Sequence, residues 1–267
     1  MVTEVEHLDR VGGQARFKKW LELRRDAFQR KAGTEKLDVP KGVLLLGVQG
    51  AGKSLAARAV AGSWRLPLLR LDFGALYNKF HGETERNLRE ALETATQMAP
   101  CLLWLDEIEK GVATGDSDGG VSRRVLGTLL TWMAERTSRV FMVATANDIS
   151  QLPPELMRKG RFDEIFFVDL PGPEARTQIL KIHLTKKKSD PANFDLEALT
   201  AVSAGFSGAE IEQAVVGALY SAHAAGQKLA TDHVTAEIAR TRPLSVVMAE
   251  KIAYLRLWAA DRTVKAD

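Results

Sequence analysis

The stretch GVQGAGKS, residues 47–54, sets Gly47, Gly52, Lys53 and Ser54 at the spacing G-x-x-x-x-G-K-[ST]. Gly50 and Gly52 let a backbone wrap closely, so that successive N–H groups point at phosphate oxygens, and a helix beginning there adds its positive end. The pattern assigns Lys53 to the β and γ phosphates of a bound nucleotide and Ser54 to Mg²⁺. Gln49, Ala51 and Leu55 complete the run of candidate nucleotide contacts. The motif requires a strand before it and a helix after it. VLLL precedes it and helical spacing follows through Leu55–Ala61. The bland alternative is a glycine turn beside a chance Lys-Ser.

A second stretch, CLLWLDEIEK, carries an apolar run that delivers Asp106 and Glu107 at its carboxyl end, where open α/β sheets bind ligands. Asp106 is the second candidate Mg²⁺ holder, directly or through water. Glu107 is the candidate to orient and polarise an attacking water. Acids that merely end a strand are the competing reading. In ELMRKGRFDE, Arg158 and Arg161 stand three apart, about a hundred residues beyond the phosphate loop. Surface pairing with Asp163 and Glu164 is one use for them, and of little value if exposed.

These groups need a scaffold that brings strand ends together. Apolar runs at 43–47, 66–71, 101–105, 140–144 and 165–168 alternate with helical pattern or turns. Leu88, Ala91, Leu92, Ala95 and Met98 share one face of a helix predicted over 83–99. Strands alternating with helices predict a parallel sheet covered on both faces. LPGPEAR at 170–176 marks a boundary, with Pro173 suited to a helix start. Beyond it the pattern is wholly helical: Ser207–Glu210 reads as a capping box, and Met248, Ile252, Leu255 and Ala259 share a face after Pro243. The fold class is therefore α/β, a five-stranded parallel P-loop sheet sandwiched by helices, then a small all-helical lid domain. The domains divide as 1–171 and 172–267.

The chain of 267 residues is 45% hydrophobic and 27% charged, ordinary for a globular protein. A net charge of +3 makes no global demand for a nucleic-acid partner. Lys186–Lys188 read as a solvated helix end. Cys101, the single cysteine, sits in an apolar run and reads as a buried inert thiol. No apolar run reaches the roughly 18 residues of a membrane span, and no signal peptide is evident. The expectation is a soluble intracellular protein.

Taken together these motifs resemble the AAA+ ATPases, and among them the AAA subgroup. The likeness runs over VGGQ at 11–14, the phosphate loop, KFHGETERNLREAL at 79–92, LDEIEK, ATANDISQLPPELMRKGRFDE at 144–164 and GFSGAEIEQAV at 205–215. The block 144–164 discriminates most, because ordinary P-loop kinases and GTPases lack it. Within the subgroup, KGRFDEIFF and GFSGAEIEQ resemble the uncharacterised AAA proteins encoded in algal chloroplast and cyanobacterial genomes and their bacterial relatives.

The resemblance implies further roles. Asn147 matches the sensor of the γ-phosphate or attacking water, though an Asn there also suits a turn. Arg158 and Arg161 match a pair of arginine fingers that enter the neighbouring subunit's site. Such a seam closes a homo-oligomer into a ring, and six subunits is the number the resemblance implies. Gly12, His183, Gly208 and Ala209 are implied beside the adenine, with simple packing the alternative for His183. Lys79, Phe80 and His81 match a pore loop in which the aromatic grips a polypeptide, although His81 departs from the usual aliphatic and Phe80 also suits a packed hydrophobe. A second loop would bring Asp116, Asp118, Arg123 and Arg124 to the same channel. Only MVTEVEHLDR precedes the module, which implies a stripped module or recognition by the pore or an adaptor. The implied activity is Mg-dependent ATP hydrolysis coupled to remodelling or threading of a protein client, in the cytoplasm or in the chloroplast stroma if plastid-encoded. A nucleic-acid motor or loader, or a slow nucleotide-gated scaffold, is the alternative.

Overall fold

The computed structural model describes residues 5–73, 83–112, 120–158 and 160–267. Five strands are the fully or partly buried apolar runs: β1 (Gly42–Gly47), β2 (Leu68–Asp72), β3 (Cys101–Asp106), β4 (Val140–Ala146) and β5 (Glu164–Val168). Helices α1 (Ala15–Gln29), α2 (Lys53–Trp64), α3 (Glu83–Gln97), α4 (Glu109–Val112) and α5 (Val121–Glu135) connect or flank them. A short sixth strand, β6 (Val264–Lys265), completes a parallel sheet in the order β2-β3-β4-β1-β5-β6.

The period-two geometry of a strand sorts side chains onto opposite faces. Leu44, Leu46, Leu103, Leu105, Met142 and Ala144 point to one face, where they pack with Leu88 and Leu92 of α3 and Leu129 of α5. Val43, Leu45, Leu102, Trp104, Phe141 and Val143 point to the other, against Phe17 and Phe28 of α1 and Val60 and Trp64 of α2. Small residues on α2, Ala56, Ala57 and Ala61, are fully buried and let that helix lie close to the sheet. Trp64 and Phe141 close this layer with ring centroids 4.6 Å apart.

Beyond β5, α6 (Pro173–Lys186), α7 (Leu196–Val202), α8 (Gly208–Ala224) and α9 (Thr231–Arg240) pack around a core of their own, including Leu180, Leu184, Phe206, Ile211, Val215 and Val234. Ser207 caps α8 as its spacing requires: its hydroxyl accepts from Glu210 N, and the Glu210 carboxylate accepts from Ser207 N. α10 (Leu244–Val247) and α11 (Ala249–Ala259) follow.

Three expectations change. The sheet has six strands, because two residues near the end of the chain pair with β5 at Phe166↔Val264 and Phe167↔Lys265. That pairing covers an open edge, and two residues are too few to leave a periodic signal. The region after residue 171 is consequently not wholly helical. α11, which the sequence groups with the small domain, buries Leu255 and Ala259 in the α/β core. Met98 leaves the apolar face: α3 ends at Gln97 and Met98 is 36% exposed. Pro100 bars the helix from continuing, since the residue before a proline is driven from helical backbone. Cys101 is fully buried, and burial pushes its thiol up to about 11, so it is inert as expected.

Candidate functional site

β1, β3 and β4 lie side by side, so the loops at their carboxyl ends converge. The loop after β1 turns back through glycines with positive φ, Gly50 at 76° and Gly52 at 92°. A Cβ on Gly50 would meet the Ser207 hydroxyl at 3.0 Å, so the loop's tightness is tied to the cap of α8. α2 then begins at Lys53, with its free backbone N–H groups facing the loop.

Lys53 is buried, and its Nζ donates to the carbonyls of Gly47 at 2.8 Å and Val48 at 2.7 Å. Burial lowers its pKa to about 8, with Glu109, Glu107 and Asp106 opposing the shift. Across the loop, Ser54 Oγ lies 3.5 Å from Asp106 Oδ1. The Thr145 hydroxyl donates to that same oxygen at 2.8 Å and accepts from Glu107 N at 3.1 Å. Arg70 on β2 holds the other oxygen, Nη2 to Oδ2 at 2.7 Å.

Glu107 follows with φ 49°, a left-handed conformation that costs a non-glycine residue roughly 1 kcal/mol or more. That turn aims its carboxylate back at β4, where Asn147 Nδ2 donates to Oε1 at 3.1 Å and Lys110 pairs with Oε2. Buried Glu109 accepts from Asn147 N at 2.9 Å, which fixes the backbone carrying that amide. Its own pKa is raised, chiefly by burial.

These groups open onto a cleft of about 1010 Å³ between the α/β body and the small helical body. The cleft brings together Gly12, Gln49, Gly50, Ala51, Gly52, Lys53, Ser54, Leu55, Asp106, Glu107 and Asn147, and on its far wall His183, Gly208 and Ala209. His183 Nδ1 is 3.5 Å from Glu212 Oε1 but makes no hydrogen bond. Burial lowers the imidazole pKa while Glu212 opposes that shift. Burial thus works against the imidazolium that an ion pair with Glu212 would need.

Arg158 and Arg161 do not line the cleft. Arg161 Nη1 donates to the Leu130 carbonyl at 3.0 Å, and Arg158 is exposed with no side-chain partner among the described residues. Neither pairs with Asp163, whose carboxylate accepts from Lys41 N and Gly42 N, nor with Glu164. Lys79, Phe80, His81, Asp116 and Asp118 lie outside the described residues. Arg123 and Arg124 are exposed at the start of α5.

Sequence reasoning missed Thr145, Arg70, Glu109 and Glu212. Only Arg70 left a signal, a charged residue at the one exposed position of β2, flanked by buried leucines. Ser54 and Asp106 fit a Mg²⁺ site: a hydroxyl and a carboxylate converge beside the phosphate loop. Mg²⁺ takes one or two protein groups and fills its octahedron with phosphates and water. Among the described residues no group of three or more His, Cys, Asp or Glu could hold a metal ion.

A glycine-wrapped phosphate loop, paired acids at the end of β3 and an amide at the end of β4 form a P-loop nucleotide site. Residues 43–170 match the family described as the ATPase family associated with various cellular activities (AAA), and the chain carries that domain. Nearly the whole chain is similar to "Uncharacterized AAA domain-containing protein ycf46" of Trieres chinensis, 41% identical over 97% of this chain and 53% of the relative. The protein of the same name from Guillardia theta is 42% identical over 98% and 52%. A "Proteasome-activating nucleotidase" of Aeropyrum pernix is 40% identical over 73% of this chain and 49% of its own length. The chain thus spans about half the length of the curated relatives it matches. No helix of the described residues is long and apolar enough to cross a membrane.

Proposed function

We propose that this chain hydrolyses ATP with Mg²⁺ as one subunit of a ring, most directly a hexamer, and uses the energy to remodel or thread protein. The observation that carries the hydrolytic reading is Glu107: its carboxylate is turned into the cleft and held by Asn147 at 3.1 Å, in the same cleft as Lys53, Ser54 and Asp106. The phosphate loop N–H groups and Lys53 bind the β and γ phosphates, and Ser54 and Asp106 hold Mg²⁺, which neutralises phosphate charge when bound. Glu107 accepts a proton from the attacking water while Asn147 fixes its direction. Gly12, His183, Gly208 and Ala209 form the wall for the base.

The ring is supported by what the cleft lacks. Two arginines with the spacing of fingers lie outside their own cleft, and Arg158 has no partner among the described residues. A site completed by a different surface of the same chain is a heterologous contact, which closes into a ring when the rotation allows. Protein as the client follows from similarity to relatives named for activating a proteasome; the gripping role of Lys79, Phe80 and His81 rests on sequence alone. Glu107→Gln tests the core of this reading. Turnover is expected to fall about 10²- to 10⁴-fold while ATP binding survives and traps the oligomer. Unchanged turnover would remove Glu107 from its role.

A further inference from the structure

β2 and β3 pair in a register that places Asp72 opposite Asp106 and Arg70 opposite Trp104. Residues two apart on a strand share a face, so all four lie on the same side. Like charges directly opposite across a strand pair destabilise the sheet. Arg70 stands between them: Nη2 is 2.7 Å from Asp106 Oδ2 and 3.4 Å from Asp72 Oδ2, with the guanidinium 4.8 Å from the Trp104 ring centroid. Both oxygens of Asp106 are therefore engaged, Oδ1 by Thr145 and Oδ2 by Arg70.

We propose that Arg70 is a resident counter-ion that stands on the Mg²⁺-holding carboxylate and yields to the metal by moving onto Asp72. The inference rests on the reading of Ser54 and Asp106 as the metal site. A carboxylate oxygen already bound by a guanidinium is a poorer ligand, whether the metal is met directly or through water. The stacking ring and the second carboxylate give Arg70 a place to go without facing solvent alone. Arg70 thereby sets how much Mg²⁺ the nucleotide complex requires, and before the metal binds it compensates two opposed carboxylates.

The test is the Mg²⁺ concentration that half-saturates binding of a fluorescent non-hydrolysable ATP analogue, measured on the full chain without any turnover. Arg70→Ala is expected to lower that concentration about three- to tenfold, the size of a half-exposed charge-assisted pair. Asp72→Asn is expected to raise it, because Arg70 then has only Asp106. Removing a nearby negative charge could also raise it directly, so Asp72→Asn is repeated in the Arg70→Ala background. There the effect of Asp72→Asn should vanish, as residues coupled through one network require. An unchanged or higher Mg²⁺ requirement in Arg70→Ala, or an Asp72→Asn effect of equal size without Arg70, overturns the proposal. If the wild-type chain binds the analogue with no Mg²⁺ dependence, the metal-site reading itself fails. Circular dichroism melts of each variant establish that it is folded.

Discussion

The buried ammonium of Lys53 makes a quantitative prediction. Its ordinary pKa is 10.5 and burial brings it to about 8. At about 1.4 kcal/mol per tenfold change in proton affinity, the ammonium is about 3 kcal/mol less favourable in the cleft than in water. A group whose folded pKa is lowered binds fewer protons than in the unfolded chain between those two values, so stability rises with pH there. The cost is fully present below pH 8 and is relieved as pH climbs through 8 towards 10.5. Lys53→Met removes the buried charge and forfeits two hydrogen bonds to carbonyls, each worth about 1 kcal/mol. The empty variant should therefore be more stable than wild type by about 1 kcal/mol at pH 7 in urea denaturation. Phosphate charge restores the proton to Lys53, so nucleotide binding near pH 8 should take up about half a proton. Uptake should fade by pH 6.5, and affinity should weaken from pH 7 to 9. Calorimetry in two buffers of different ionisation enthalpy reads the uptake. Proton release at pH 8, or a Lys53→Met variant clearly less stable than wild type, would refute the account of a strained, waiting ammonium.

Arg158→Ala is expected to cut turnover about 10³- to 10⁵-fold and leave the affinity for a non-hydrolysable analogue unchanged, since Arg158 does not line its own cleft. Mixing that variant with Glu107→Gln subunits should recover turnover, because some seams then combine an intact finger with an intact Glu107; no recovery in phosphate-release assays would argue against a shared site. Ser207→Ala should cost about 1 kcal/mol of stability by loss of the α8 cap. An unchanged denaturation midpoint would mean that the cap does not hold the small body together.

Much of the site was legible because its chemistry is written in short contiguous runs. Residues 42–55 and 101–107 each contain the strand, the turn and the candidate groups, so local sequence carries both their position and their proposed role. Thr145 and Arg70 escaped because their importance is a matter of register. Thr145 matters because β4 sets it beside Asp106, and Arg70 because β2 pairs with β3 so that Asp72 faces Asp106. No local pattern specifies which strands become neighbours. β6 was missed for a related reason: its pairing with β5 depends on α11 returning to the α/β core, and two exposed residues announce nothing of their own. The capping box, by contrast, is a contact over three residues and was readable at once.

The cleft has two walls that belong to different cores. The phosphate loop is braced by β1 and α2, whereas His183, Gly208 and Ala209 ride on helices packed around Leu180, Phe206 and Ile211. Chain crosses between these bodies twice, after β5 and again before α11. α11 is pinned to the α/β body by Leu255, by the Arg256–Asp169 pair at 2.8 Å and by Lys251–Asp148 at 3.2 Å. Inside the cleft, Ala209 N donates to Gly50 O at 3.2 Å, and outside it Gly13 N donates to Gln178 Oε1 at 3.0 Å. Each such bond is worth about 1 kcal/mol. A ligand touching both walls at a hundred times its dissociation constant adds about 2.7 kcal/mol, comparable to the bonds that join them. Binding across the cleft is thus similar in size to the protein's own contacts between its walls. Glu210 both caps α8 and accepts from Leu244 N at 2.8 Å, which ties the start of α8 to the second crossing.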